Sequence, residues 1–131
     1  MKDETRQWLN YANENLESSK ILLESFLFNP SLQNAQQSIE KNIKACFIEK
    51  GFKLQKTHNI RTLTEILKKN EIFVNITEDD IDLIDTIYLS SKYPFGSVLP
   101  DFEPDKNICL KCIDIASQVK EDIDRCLKRS F

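Results

Sequence analysis

Ser31-Leu32-Gln33-Asn34-Ala35-Gln36-Gln37-Ser38-Ile39-Glu40-Lys41-Asn42-Ile43-Lys44-Ala45-Cys46-Phe47-Ile48-Glu49-Lys50-Gly51 reads as one uninterrupted amphipathic helix. Leu32, Ala35, Ile39, Ile43, Cys46 and Phe47 recur at steps of three or four, which places them on one stripe of a 3.6-residue helix. Pro30 stands just before the stretch, where a missing N–H is tolerated, and Ser31 is the expected N-cap. Gly51 supplies the left-handed stop at the other end. A long helix with one apolar stripe needs partners of its own kind, and the flanking sequence provides them.

Upstream, Trp8, Leu9, Ala12, Leu16, Leu22, Leu23 and Phe26 follow the same period, predicting a helix from about Asp3 to Leu27. Downstream, Thr57 is the expected cap of a helix over 58–70, with Ile60, Leu63, Ile66 and Leu67 inward. Glu71-Ile72-Phe73-Val74-Asn75-Ile76 is β-prone, but with no partner strand in the chain it reads as a packed connector. Thr77-Glu78-Asp79-Asp80 opens a fourth helix carrying Ile81, Ile84, Ile87 and Tyr88, with carboxylates where the helix dipole favours them. Three of the four prolines fall in 94–104, a loop. From about Asp105 to Lys128 a last helix presents Ile108, Cys112, Ile115, Ala116, Val119, Ile123 and Leu127. The expected fold is all-α, an antiparallel up-and-down bundle of four to five helices forming a single domain over residues 1–131.

The remaining composition fits that reading. A chain of 131 residues with 40% hydrophobic and 30% charged residues can bury one core, and two glycines leave little for the turns of a β-sandwich. No apolar run approaches the roughly 20 residues that cross a bilayer, and the start has no signal-peptide pattern. A cytoplasmic protein without membrane contact is expected. Net charge is −3, unevenly spread. Residues 41–70 carry 8 basic and 2 acidic groups, whereas residues 71–105 carry 1 basic and 9 acidic. Two helix surfaces that attract each other would explain this, and so would a phosphate-facing basic surface.

Cys109-Leu110-Lys111-Cys112 matches C-x-x-C, but no second pair stands at metal-binding spacing. With Cys46 and Cys126, these cysteines read as reduced structural thiols inside helices. Asp79, Asp80, Asp82 and Asp85 read as helix-start stabilisers and surface acids rather than metal ligands. Neither a metal nor a cofactor is implied.

Three stretches together resemble the HEPN family of prokaryotic helical domains. They are Trp8 with Ala12 and Leu16; the run from Ala35 to Ala45, similar to that family's Gln-Gln-x-x-Glu-Lys-x-x-Lys-Ala helix; and Thr57-His58-Asn59-Ile60 with Tyr88 and Lys92-Tyr93-Pro94. The resemblance spans nearly the whole chain. It implies a helical bundle, often a homodimer, often encoded beside a small nucleotidyltransferase. Members of the family are substrate-binding partners of such enzymes, toxin–antitoxin components, or RNA-cutting toxins.

RNA-cutting members carry Arg-x4–6-His, in which arginine steadies phosphate charge and histidine moves protons. Here the only histidine is His58, and the three matching positions hold Lys53, Phe52 and Gly51. Lysine keeps charge but lacks the bidentate fork. The expected function is therefore a non-catalytic subunit that binds a nucleotide or RNA, with Lys41, Lys44, His58, Lys92 and Tyr93 as ligand contacts. Glu40 is expected to pair across the bundle or face water. A metal-independent ribonuclease using Lys53 and His58, or an antitoxin-like interaction module, is the alternative.

Overall fold

The turn at Ser25–Leu27 folds the first two helices onto each other. A computed structural model describes residues 1–90 and 103–128 of the chain. Helix α1 spans Asp3–Glu24 and α2 spans Phe28–Lys50. Contacts between Thr5 and Glu49, Asn15 and Asn34, and Ser19 and Ser31 show that the two run antiparallel. α2 starts three residues earlier than expected, at Phe28, and so carries Pro30 inside its first turn. There the proline's missing N–H has no intrahelical acceptor to lose. Ser31 is consequently not a cap but a buried residue of the hairpin: Ser19 Oγ donates to the Ser31 carbonyl at 2.7 Å, and Ser31 Oγ donates to the Ser19 carbonyl at 2.9 Å.

The turn itself is held by hydrogen bonds from Phe26 N to Leu23 O and from Leu27 N to Leu22 O. That pattern puts Phe26 in the left-handed region, φ 60°, and leaves the residue 75% exposed rather than on the inner stripe. At the other end of α2, Gly51 takes φ 73° as the expected stop.

Helices α3 (Ile60–Lys69), α4 (Glu78–Ser90) and α5 (Lys106–Lys128) complete the described fold. All five helices contribute to one apolar core built around Leu16, Ile39, Ile43, Phe47, Leu63, Ile84, Val119 and Ile123. α2 touches every other helix. α5 lies along it in the same sense, since Cys109 Sγ meets the Phe28 carbonyl at one end and Cys126 neighbours Cys46 at the other. Between α3 and α4 the connector alternates as a strand would, with Ile72, Val74 and Ile76 half-buried and Phe73 exposed. It pairs with no strand among the described residues. Asp122 of α5 instead accepts from Asn75 N at 2.7 Å and fixes the connector to the bundle.

The charge asymmetry is resolved in part within the fold. Arg61 of α3 pairs with Glu78 and Asp82 of α4, and Lys111 of α5 with Asp80 at 3.5 Å. Those acids raise the Arg61 pKa further above its usual value. Among the described residues no helix is long and apolar enough to cross a membrane.

Candidate functional site

From Ser38 to Phe47 the central helix α2 is buried at every position but Lys41, so some of its polar residues must be buried too. Gln36, Glu40 and Lys44 stand four apart on α2 and form one stripe of this kind, all three buried. Glu40 is the hub. Gln36 Nε2 donates to its Oε1 at 3.2 Å and Lys44 Nζ donates to its Oε2 at 3.0 Å. The Glu40 and Lys44 side chains are only 10% and 7% exposed, so this ion pair lies out of reach of bulk water.

His58 closes the cluster from the connection between α2 and α3. Its Nδ1 lies 3.0 Å from both Glu40 oxygens. Two carboxylate oxygens can only accept, so Nδ1 carries the hydrogen and Nε2 is not engaged by Glu40, on a side chain that is 46% exposed. The imidazole also stacks on the Tyr88 ring, with centroids 4.7 Å apart and planes at 24°. Carboxylate on one edge and phenol on one face leave the ring a single orientation.

Local folding places His58 there. The cap of α3 is Asn59, whose side chain accepts from Thr62 N at 3.0 Å, rather than Thr57, whose hydroxyl accepts from Asn59 N in a turn one step earlier. Asp85 of α4 then takes the next two amides, Ile60 N at 2.7 Å and Arg61 N at 3.3 Å. Burial nevertheless pushes the Asp85 carboxyl above its usual value, with the two amides pulling the other way. Asp85 and Tyr88 stand three apart on α4, so one face of that helix both anchors the start of α3 and backs the imidazole. The result is a small cleft of about 170 Å³ lined by Thr57, His58, Asn59, Asp85, Tyr88 and Leu89.

The residues expected from sequence are distributed as follows. His58 and Lys44 meet at Glu40. Lys41 points to the α1 side, where its Nζ donates to Asn15 Oδ1 at 2.7 Å and lies 5.8 Å from the Tyr11 ring centre. Lys53 is exposed on the connection leading to His58, as is Lys56, and neither forms an ion pair among the described residues. Lys92, Tyr93 and residues 94–102 of the expected loop lie outside the described residues. The sequence left His58 without a partner; the structure supplies Glu40, 18 positions earlier and on another element. Among the described residues no group of three His, Cys, Asp or Glu side chains is placed to hold a metal.

Four helices packed on a central fifth, with a carboxylate-held imidazole at the mouth of a small cleft, define the class: an all-α domain with a polar site rooted in its core helix. The chain belongs to the HEPN family, whose domain model matches residues 5–126. Two solved structures share the fold. The crystal structure of TT1696 from Thermus thermophilus superimposes with a TM-score of 0.70 at 20% identity, covering 95% of this chain and 98% of that one. ST0689, an archaeal HEPN homologue, superimposes with a TM-score of 0.64 at 18% identity, covering 97% and 99%. Among curated proteins none matches the chain.

Proposed function

We propose that this HEPN protein is a binding subunit for a nucleotide or for RNA, in which His58 presents Nε2 to a phosphate oxygen. The observation that supports this most directly is the grip of Glu40 on Nδ1. A buried carboxylate on one ring nitrogen fixes the orientation of the imidazole and leaves the other nitrogen to a ligand. Lys53 and Lys56, exposed on the same connection, add positive charge beside the cleft. Tyr88 offers a ring edge, and Lys92 and Tyr93, four and five residues further along, complete the proposed contact set. Lys44 acts through Glu40 in this reading, and Lys41 belongs to a separate patch on α1 and α2. The working form is a homodimer in the cytoplasm, holding its ligand for a small nucleotidyltransferase partner.

Filter binding of radiolabelled nucleoside triphosphates and of a short single-stranded RNA tests the proposal. His58→Ala should weaken binding by about tenfold or more, and Lys53→Glu with Lys56→Glu should reduce the salt slope by roughly 1 per lysine. Affinity unchanged by all three substitutions, or no affinity in the wild type, would remove it.

The same dyad supports one other reading. A carboxylate-oriented imidazole is what general acid–base catalysis needs, so a metal-independent ribonuclease using His58 with Lys53 stays in view. Cleavage of a labelled RNA by the wild type and not by His58→Ala would select it over simple binding.

A further inference from the structure

Residues 72–76, between α3 and α4, have the alternation of a strand and no strand beside them among the described residues. Ile72, Val74 and Ile76 pack on the core, while Phe73 is 68% exposed. The backbone of this connector is only half used. Glu71 N and Ile72 N donate to the Lys68 and Leu67 carbonyls, Asn75 N to Asp122, and Ile76 N to the Val74 carbonyl. Among the described residues the amides of Phe73 and Val74 have no acceptor, and the carbonyls of Ile72 and Phe73 have no donor. Two clefts meet at Ile72 and Phe73. One, of about 260 Å³, reaches Thr64, Lys68 and Ile81; the other, of about 450 Å³, reaches Lys50, Asp122 and Arg125. Neither shares a residue with the cleft at His58.

We propose that residues 72–76 form an open β-edge that takes an acidic, extended segment of a partner protein as an added strand. Unpaired amides and carbonyls on an extended backbone offer main-chain hydrogen bonds, and adjoining clefts accept alternate side chains of the incoming chain. Charge selects which chain. The connector lies where α2, α3 and α5 end, and their last turns carry Lys50, Lys68, Lys69, Arg125 and Lys128. Of the acids lining the clefts, Asp122 is bonded to Asn75 N, Gln118 and Arg125, and Glu78 to Arg61. That sets four lysines against Glu65 and Glu71, with the three helix C-termini offsetting about half a charge each. An acidic strand is therefore favoured over a basic one. A second copy of this chain would set lysines against lysines, and a nucleic acid has no peptide main chain to match the edge.

Fluorescence anisotropy of the full chain with a labelled synthetic peptide, about eight residues of alternating valine and aspartate, tests this. The peptide should bind, and N-methylation of its alternate amides along the pairing edge should weaken it about tenfold or more by removing main-chain hydrogen bonds. Lys68→Glu with Lys69→Glu should cost about tenfold at low salt and flatten the salt dependence. Phe73→Ala, at an exposed position that the fold does not need, should weaken binding several-fold. Amide exchange adds a readout that needs no variant. At saturating peptide the Phe73 and Val74 amides should slow by about tenfold or more, whereas Asn75, already held by Asp122, should change little. No binding of the peptide, equal affinity for the N-methylated form, or unchanged exchange at both amides would overturn the proposal. So would a single-stranded RNA that binds with the same lysine dependence while the peptide does not, or self-association of the chain that Phe73→Ala abolishes.

Discussion

Replacing Glu40 by glutamine tests the central feature of the site with almost no change of shape. The wild-type carboxylate accepts from Gln36, Lys44 and His58 at 3.0–3.2 Å. Glutamine keeps the length and one acceptor oxygen, but leaves the Lys44 ammonium, on a side chain only 7% exposed, without an anion. Removing one partner of a buried pair costs about 3–5 kcal/mol, and we take ~3 kcal/mol because glutamine keeps one acceptor oxygen for its neighbours. With an unfolding entropy of about 2.1 cal/mol/K per residue, that corresponds to a fall in Tm of roughly 11 °C. Lys44→Met should cost less, about 1–2 kcal/mol, since Glu40 keeps His58 and Gln36. The double variant should cost clearly less than the two singles together, by a coupling of about 2 kcal/mol. Urea unfolding of the four proteins measures all of this. A Glu40→Gln protein within about 1 kcal/mol of the wild type, or strictly additive singles, would refute the buried hub.

Other outcomes rest on particular residues elsewhere in the bundle. Gly51→Ala meets nothing within 4 Å of the new Cβ, so its whole effect is the left-handed backbone, φ 73°, and it should cost about 1 kcal/mol in urea unfolding. Phe26→Gly should move the other way by about 0.5–1 kcal/mol, because Phe26 holds the same conformation with an exposed ring. Glu49 accepts from Lys2 N and from Thr5 Oγ1, and those bonds, led by the Lys2 amide, hold its carboxyl below the usual range. A lowered folded-state pKa gives a contribution present above the unfolded carboxylate range and lost as pH falls through the folded value. The protection of amides at the start of α1, taken relative to their intrinsic exchange rates, should therefore fall at acid pH, and Glu49→Gln should remove the dependence. Asp85→Ala should cost about 1–2 kcal/mol by releasing the amides of Ile60 and Arg61, and should weaken ligand binding by displacing His58. Asp85→Asn should be milder in both assays, since the raised Asp85 pKa already marks burial of its charge as unfavourable.

Helices were legible in this sequence because an apolar stripe has only one period to follow. Leu32, Ala35, Ile39, Ile43, Cys46 and Phe47 are all buried as their spacing requires. Ends were less legible, because several polar residues near each end compete for the cap. Leu27 and not Ser31 precedes α2, since the hairpin needs Ser31 against Ser19; Asn59 and not Thr57 caps α3, since Asp85 fixes where its amides point. In both cases the deciding contact comes from another helix, and no local rule contains it.

The site was half legible for a related reason. Periodicity separates a wet face from a dry one, and α2 has no wet face along much of its length: Gln36, Ser38, Glu40, Asn42 and Lys44 are buried beside the apolar stripe. Read along the chain, Gln36 and Lys44 look like solvated helix residues and His58 like an isolated ring. The one local sign of something else is the Glu40–Lys44 pair at i, i+4, an ordinary surface pattern that gains its weight here from burial. A charge pair sunk in the middle of a helical core is expensive to desolvate, and an apolar pair of the same size would be no less stable. A pair that adds little to stability still fixes the half-exposed imidazole beside it. In the proposed binding role, His58 Nε2 rather than either Lys41 or Lys44 is the atom expected to meet the ligand, and His58→Ala should then weaken binding more than Lys41→Ala.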